Sequence, residues 1–109
     1  MTDRELLEQA AKAAGIKVKG YFEDEPTLLI KPGIRLPPAR WNPLTDDGDA
    51  LRLAVKLEIA VEIHSGCAWA YVLDDRLKDV IYEELKCSDP YAATRRAIVR
   101  VAAQIGAGE

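Results

Sequence analysis

The residues best suited to chemistry are few. The only histidine, His64, stands three residues before Cys67 in the run His64-Ser65-Gly66-Cys67, and Cys87 follows later in the chain. Thiolate and imidazole are good zinc ligands, and a tight turn between strands can present two of them together. A structural zinc site needs four such ligands, however, and no second close Cys or His pair exists to complete one. The Pro-Cys-x-x-Cys half of the zinc deaminase signature is also missing. A Cys67–His64 nucleophile pair would need a stabilised thiolate and donors for an oxyanion, and no prepared nucleophile turn accompanies these residues. A small metal-dependent enzyme built on His64, Cys67 and Cys87 is therefore the weakest reading, and no cofactor is expected.

Other polar constellations have plain explanations. Asp46-Asp47-Gly48-Asp49 suggests calcium, but the oxygen ligands, glycine and distal glutamate of an EF-hand loop do not fall at the required offsets from any of these aspartates. A crowded acidic first turn, favoured by the helix dipole, accounts for the run. Arg95, Arg96 and Arg100 form the notable basic cluster, with Arg96 and Arg100 one helical turn apart. They could meet phosphate or an acidic partner, although a solvated, ion-paired face is the simpler account in an acidic chain. Trp41, Trp69 and Tyr71 are the large aromatic anchors. Such residues usually pack a core, and they are also enriched where proteins bind one another. The seven glycines are scattered and match no nucleotide-binding fingerprint.

The elements that position these residues follow from pattern. Thr2 and Glu5 have capping-box spacing, Leu6, Leu7, Ala10, Ala11 and Ala14 form a helical stripe, and Gly15 is a natural stop. Two short strands follow, with Gly20 a bulge site, Glu23-Asp24-Glu25-Pro26 the turn, and Thr27 to Lys31 the return. Four prolines between residues 32 and 43 predict an irregular crossing loop pinned by Trp41. A second helix begins near Thr45 or Asp46, burying Ala50, Leu51, Ala54 and Leu57, with Leu53 as a further candidate.

The segment from Ile59 to His64 alternates, Ser65-Gly66 offers a turn, and Cys67 to Leu73 alternates again. A two-residue loop pairs His64 with Cys67, Glu62 with Trp69 and Ala60 with Tyr71, with Ile63, Val61 and Ile59 on the other face. Both faces are substantially apolar, which implies that both are covered. Asp74-Asp75-Arg76 turns into a further strand from Val80 to Leu85. Asp89 and Pro90 open a last helix that buries Ile98, Val101, Ala102 and Ile105, with Ala93 or Thr94, and that Gly106 ends.

The expected fold class is therefore α+β, in the order α-β-β-α-β-β-β-α, with a mainly antiparallel sheet because the links are hairpin-short. Residues 1–109 form a single domain of ordinary size, and the hydrophobic fraction of 49% with 6% aromatics implies an aliphatic core. A net charge of −3 argues against broad phosphate binding. No stretch has the length of a membrane span, the N-terminus has no apolar signal core, and two cysteines are too few for a disulfide scaffold. A cytosolic location is the resulting expectation.

Two stretches, Trp41-Asn-Pro-Leu-Thr-Asp-Asp-Gly-Asp-Ala-Leu-Arg-Leu-Ala-Val-Lys-Leu57 and Ala93-Thr-Arg-Arg-Ala-Ile-Val-Arg-Val-Ala-Ala-Gln-Ile-Gly106, resemble small phage and prophage proteins with the phage ABA sandwich domain. The start of the chain from Glu5 to Gly15 fits the same pattern, while Glu58 to Cys87 departs from it most. The resemblance implies an α/β/α sandwich, with helices on both sheet faces, expressed in the cytoplasm of a bacterial host. It brings no activity, cofactor or catalytic residues. The functional expectation is a non-enzymatic accessory protein that binds a host or phage protein, with Trp41, Trp69, Tyr71, Arg95, Arg96 and Arg100 as candidate contacts. Nucleic-acid binding through the arginine cluster is the alternative.

Overall fold

Each helix starts on a side chain that satisfies its first free amides. In the computed structural model, the Thr2 hydroxyl accepts from the Glu5 N–H at 3.2 Å at the head of α1 (Asp3–Ala14). Gly15 ends that helix at φ 70°, a left-handed position where a Cβ would be strained. Asp46 accepts from the Asp49 N–H at 2.8 Å to open α2 (Asp47–Leu57). Asp89 accepts from the amides of Tyr91 and Ala92 to open α3 (Pro90–Ala107), with Pro90 in the first turn. The structure describes residues 1–22, 26–31, 36–65, 67–73, 80–86 and 89–108. The expected turns at residues 23–25 and 74–76, the glycine of the Ser65-Gly66 turn, and Cys87 lie outside them.

The strands form two antiparallel sheets. The first has the order β1 (Lys17–Tyr21), β2 (Leu28–Lys31), β3 (Ala39–Trp41), and its register slips between Val18 and Gly20 at the anticipated bulge. The second has the order β4 (Ala60–His64), β5 (Cys67–Leu73), β6 (Val80–Lys86). Its first pair has the register read from the sequence, His64 opposite Cys67, Glu62 opposite Trp69 and Ala60 opposite Tyr71. The α+β class with antiparallel pairing is therefore present, with one strand more than expected and with two sheets where one was expected. Ala39–Trp41, taken for loop, pairs with β2 by placing Trp41 opposite Leu28. Prolines 37 and 38 precede this strand without interrupting it, so they limit its length and do not prevent pairing.

The layers meet on α3. This helix packs against α1, α2 and the second sheet, and it is buried around most of its circumference, including Ala97, Val99 and Ala103 beyond the expected stripe. Ala68, Ala70 and Val72 are the buried face of β5, while Trp69 and Tyr71 on the opposite face are half-buried. One core cluster joins Leu6, Leu7, Leu28, Trp41, Leu53, Ala70 and Val101 across both sheets and all three helices. On α2 the buried leucine is Leu53, at 2% exposure, and Leu51 is 65% exposed. Two residues two apart on a helix lie about 200° apart, so only one could face the core. The last helix also passes through Gly106 and is capped at Gly108.

Candidate functional site

The six residues singled out from the sequence do not share one surface. Trp41 is 4% exposed and belongs to the core, which removes it as an anchor presented to a partner. Arg95 is a structural tie: its Nε donates to the Leu44 carbonyl at 2.9 Å and its guanidinium pairs with Asp47 at 2.6 Å, joining α3 to the start of α2. Arg96 pairs with Asp3 at 2.9 Å, joining α3 to α1. Arg100, one turn further on, is half-buried beside Met1 and Leu6. The arginines are thus divided between two helix contacts and do not make one open basic face.

Trp69 and Tyr71 lie on the outward face of the second sheet with Glu62 and His64. The Tyr71 hydroxyl donates to Glu62 at 3.0 Å, and His64 Nε2 is 3.6 Å from the same carboxylate. The hydrogen bond to Glu62, and next its negative charge, raise the Tyr71 pKa above its ordinary value of 10.0. Cys67 is a free thiol at the register position opposite His64. Among the described residues no group of three or more His, Cys, Asp or Glu is placed to hold a metal ion. The pairing of Cys67 and His64 is that of strand neighbours.

The surface that the sequence did not reveal is an apolar groove of about 480 Å³ between α2, β4 and α3. Ala50 and Ala54 of α2 and Ile98 of α3 form its floor. Its rim carries large apolar side chains in water: Leu51, Ile63 at 58% exposure and Tyr91 at 68%. Val55, one turn along α2 from Leu51, extends the same exposed stripe. The groove runs beside β4, which pairs only with β5 among the described residues. An edge strand of this kind offers alternate backbone N–H and C=O groups for pairing. Val61 and Ile63 turn toward the groove, and Glu62 turns away from it. The pair Leu51 and Leu53 was the available signal, since one of the two had to be exposed.

Comparison with family models, curated proteins and solved structures finds no match for this chain. No helix among the described residues is long and apolar enough to cross a membrane.

Proposed function

We propose that this protein is a non-catalytic accessory protein that works by binding another protein, and that its docking surface is the groove bounded by α2, β4 and α3. The observation that carries the proposal is the clustering of Leu51, Ile63 and Tyr91, large apolar side chains exposed around one groove and continued along α2 by Val55, beside a strand edge with no partner among the described residues. Contiguous exposed apolar surface of this sort marks interaction sites. The occupant is an extended segment of a partner that adds to the β4 edge. Such a segment takes its affinity from main-chain bonds and its specificity from alternate side chains. Its inward residues are apolar, to fill the groove. An outward residue is Lys or Arg, to complement the exposed Glu62 carboxylate.

The resemblance of the Trp41–Leu57 and Ala93–Gly106 stretches to phage proteins supports a phage or prophage origin. The partner is then a component of a host process or defence system in the bacterial cytoplasm. Nucleic-acid binding through the arginine cluster loses its footing, because Arg95 and Arg96 are engaged with Asp47 and Asp3.

Selection from a displayed peptide library tests the docking mode. The selected peptides should alternate apolar residues with at least one Lys or Arg, should slow amide exchange along Ala60–His64, and should lose binding to Ile63→Asp. Peptides that leave β4 exchange unchanged would sink the proposal. So would a self-association of the chain that Ile63→Asp abolishes, since a second copy would then be the occupant.

A further inference from the structure

The opposite side of α2 borders a second cleft, of about 510 Å³, with a different character. Among the described residues five cations reach it from four elements: Lys17 of β1, Lys31 of β2, Arg40 of β3, and Arg52 and Lys56 of α2. Among the described residues the only carboxylate in its lining is Asp49, which accepts from the Asn42 N–H at 3.0 Å and from Arg52 at 2.7 Å. This is a strong local excess of positive charge in a chain whose net charge is −3.

Ordinary structural needs account for part of it. Lys56 lies in the last turn of α2, where carbonyl groups favour a cation. Arg40 lies over the Phe22 ring at 4.2 Å, and Arg52 pairs with Asp49 at 2.7 Å and with Asp46 at 3.8 Å. They do not account for Lys17 and Lys31, which stand directly opposite each other across the β1–β2 pair. Like charges at facing positions destabilise a sheet. Neither lysine has an ion pair among the described residues to offset the repulsion. A multivalent anion between them and Lys56 would convert that repulsion into attraction. The rest of the lining is apolar, with Ile16, Ile30 and Leu53 among it, and the volume falls in the range of small-molecule sites.

We propose that this cleft binds a phosphate-bearing small molecule of nucleotide size. Its phosphates lie against Lys17, Lys31 and Lys56, and its less polar body lies against Ile16, Ile30 and Leu53. The site is independent of the groove beside β4, because the two use opposite faces of α2. A long nucleic acid fits less well: beyond the cleft its further phosphates would meet an acidic protein.

Calorimetric titration and thermal melting with ATP, inorganic pyrophosphate and a thymidine decamer test this proposal. ATP should bind saturably, more tightly than pyrophosphate, and should raise the melting temperature by mass action. The Lys17→Gln/Lys31→Gln variant should weaken ATP binding roughly tenfold or more, as expected for the loss of charged hydrogen-bond donors. Without ligand it should melt no lower than the parent, because the repulsion is gone. Lys19→Gln, outside the cleft, should leave binding unchanged. The proposal is overturned by the absence of saturable ATP binding, by pyrophosphate binding as tightly as ATP, or by a decamer that binds more tightly than either. Equal weakening by Lys19→Gln and by the double variant would also overturn it.

Discussion

Ionising Tyr71 would set two negative charges at hydrogen-bond distance, because its hydroxyl donates to the exposed carboxylate of Glu62 at 3.0 Å. Its native pKa is therefore raised above the ordinary 10.0, by the hydrogen bond first and the charge second. A raised native pKa means that the folded chain holds the proton more tightly than the unfolded one. The stability contributed by this contact is thus fully present below about pH 10 and is lost as pH rises through the native pKa. Ring-carbon NMR should show Tyr71 titrating above 10 in the native protein and moving down in Glu62→Gln; an unchanged titration would count against the contact. That Tyr71 and Glu62 share one face is legible in the sequence, because a two-residue link between β4 and β5 leaves little freedom in how the strands align. The roles of Arg95 and Arg96 were not legible in the same way. They are neighbours in sequence, but residues 100° apart on α3 meet different helices, and the acids that pair with them, Asp47 and Asp3, are far away in the chain.

Among the elements, α1 and α3 make the closest contact. They run in the same direction, with Asp3 of α1 meeting Arg96 of α3 and Gln9 meeting Gly106. At Gly106 the helices touch backbone to backbone: a Cβ there would lie 1.9 Å from the Gln9 carbonyl oxygen. Backbone cannot rotate away as a side-chain tip can, so Gly106→Ala must push the helices apart. The expected loss is about 2–3 kcal/mol, the upper part of the range for overpacking. That corresponds to a fall in Tm on the order of 10 °C for a domain of this size. Circular dichroism melting checks it, and a change within 1–2 °C, the scale of a neutral surface substitution, would show that the helices are not held this closely. The caps at Thr2 and Asp89 were legible, and the start of α2 was legible to within one residue, because each cap acts over three residues of its own chain. Gly106 was misread as a stop, because the same residue type serves helix ends and helix crossings, and only the neighbouring helix distinguishes them. The strand Ala39–Trp41 was missed for a related reason. Three residues are too few to show alternation, and the partner that makes them a strand is β2.

At the scale of the whole molecule, both candidate surfaces are assembled from distant segments. The groove draws on residues from Asp47 to Ile98, and the basic cleft on residues from Ala14 to Lys56. No local pattern announces either, whereas the conspicuous local cluster, the arginines of α3, includes two structural ties. What holds the cleft and groove in register is α2, and α2 is joined to the first sheet at Asn42. The Asn42 side chain is buried: its Nδ2 donates to the Thr27 hydroxyl at 3.0 Å, and its Oδ1 accepts from the Leu44 N–H at 3.0 Å. The Asn42 backbone N–H donates to Asp49 in the first turn of α2. Asn42→Ala keeps the backbone bond and removes both side-chain bonds in a poorly hydrated place. The expected cost is about 1–3 kcal/mol. Because one core cluster joins both sheets, that cost should lower the stability of the whole chain and should not melt the first sheet alone. In a Trp69→Phe background, Trp41 fluorescence reports the first sheet and far-ultraviolet circular dichroism is dominated by the helices. Asn42→Ala should shift both denaturation curves to the same lower midpoint. If the fluorescence midpoint falls while the helical signal stays in place, the first sheet unfolds as a separate unit and α2 is not the common frame of the two surfaces.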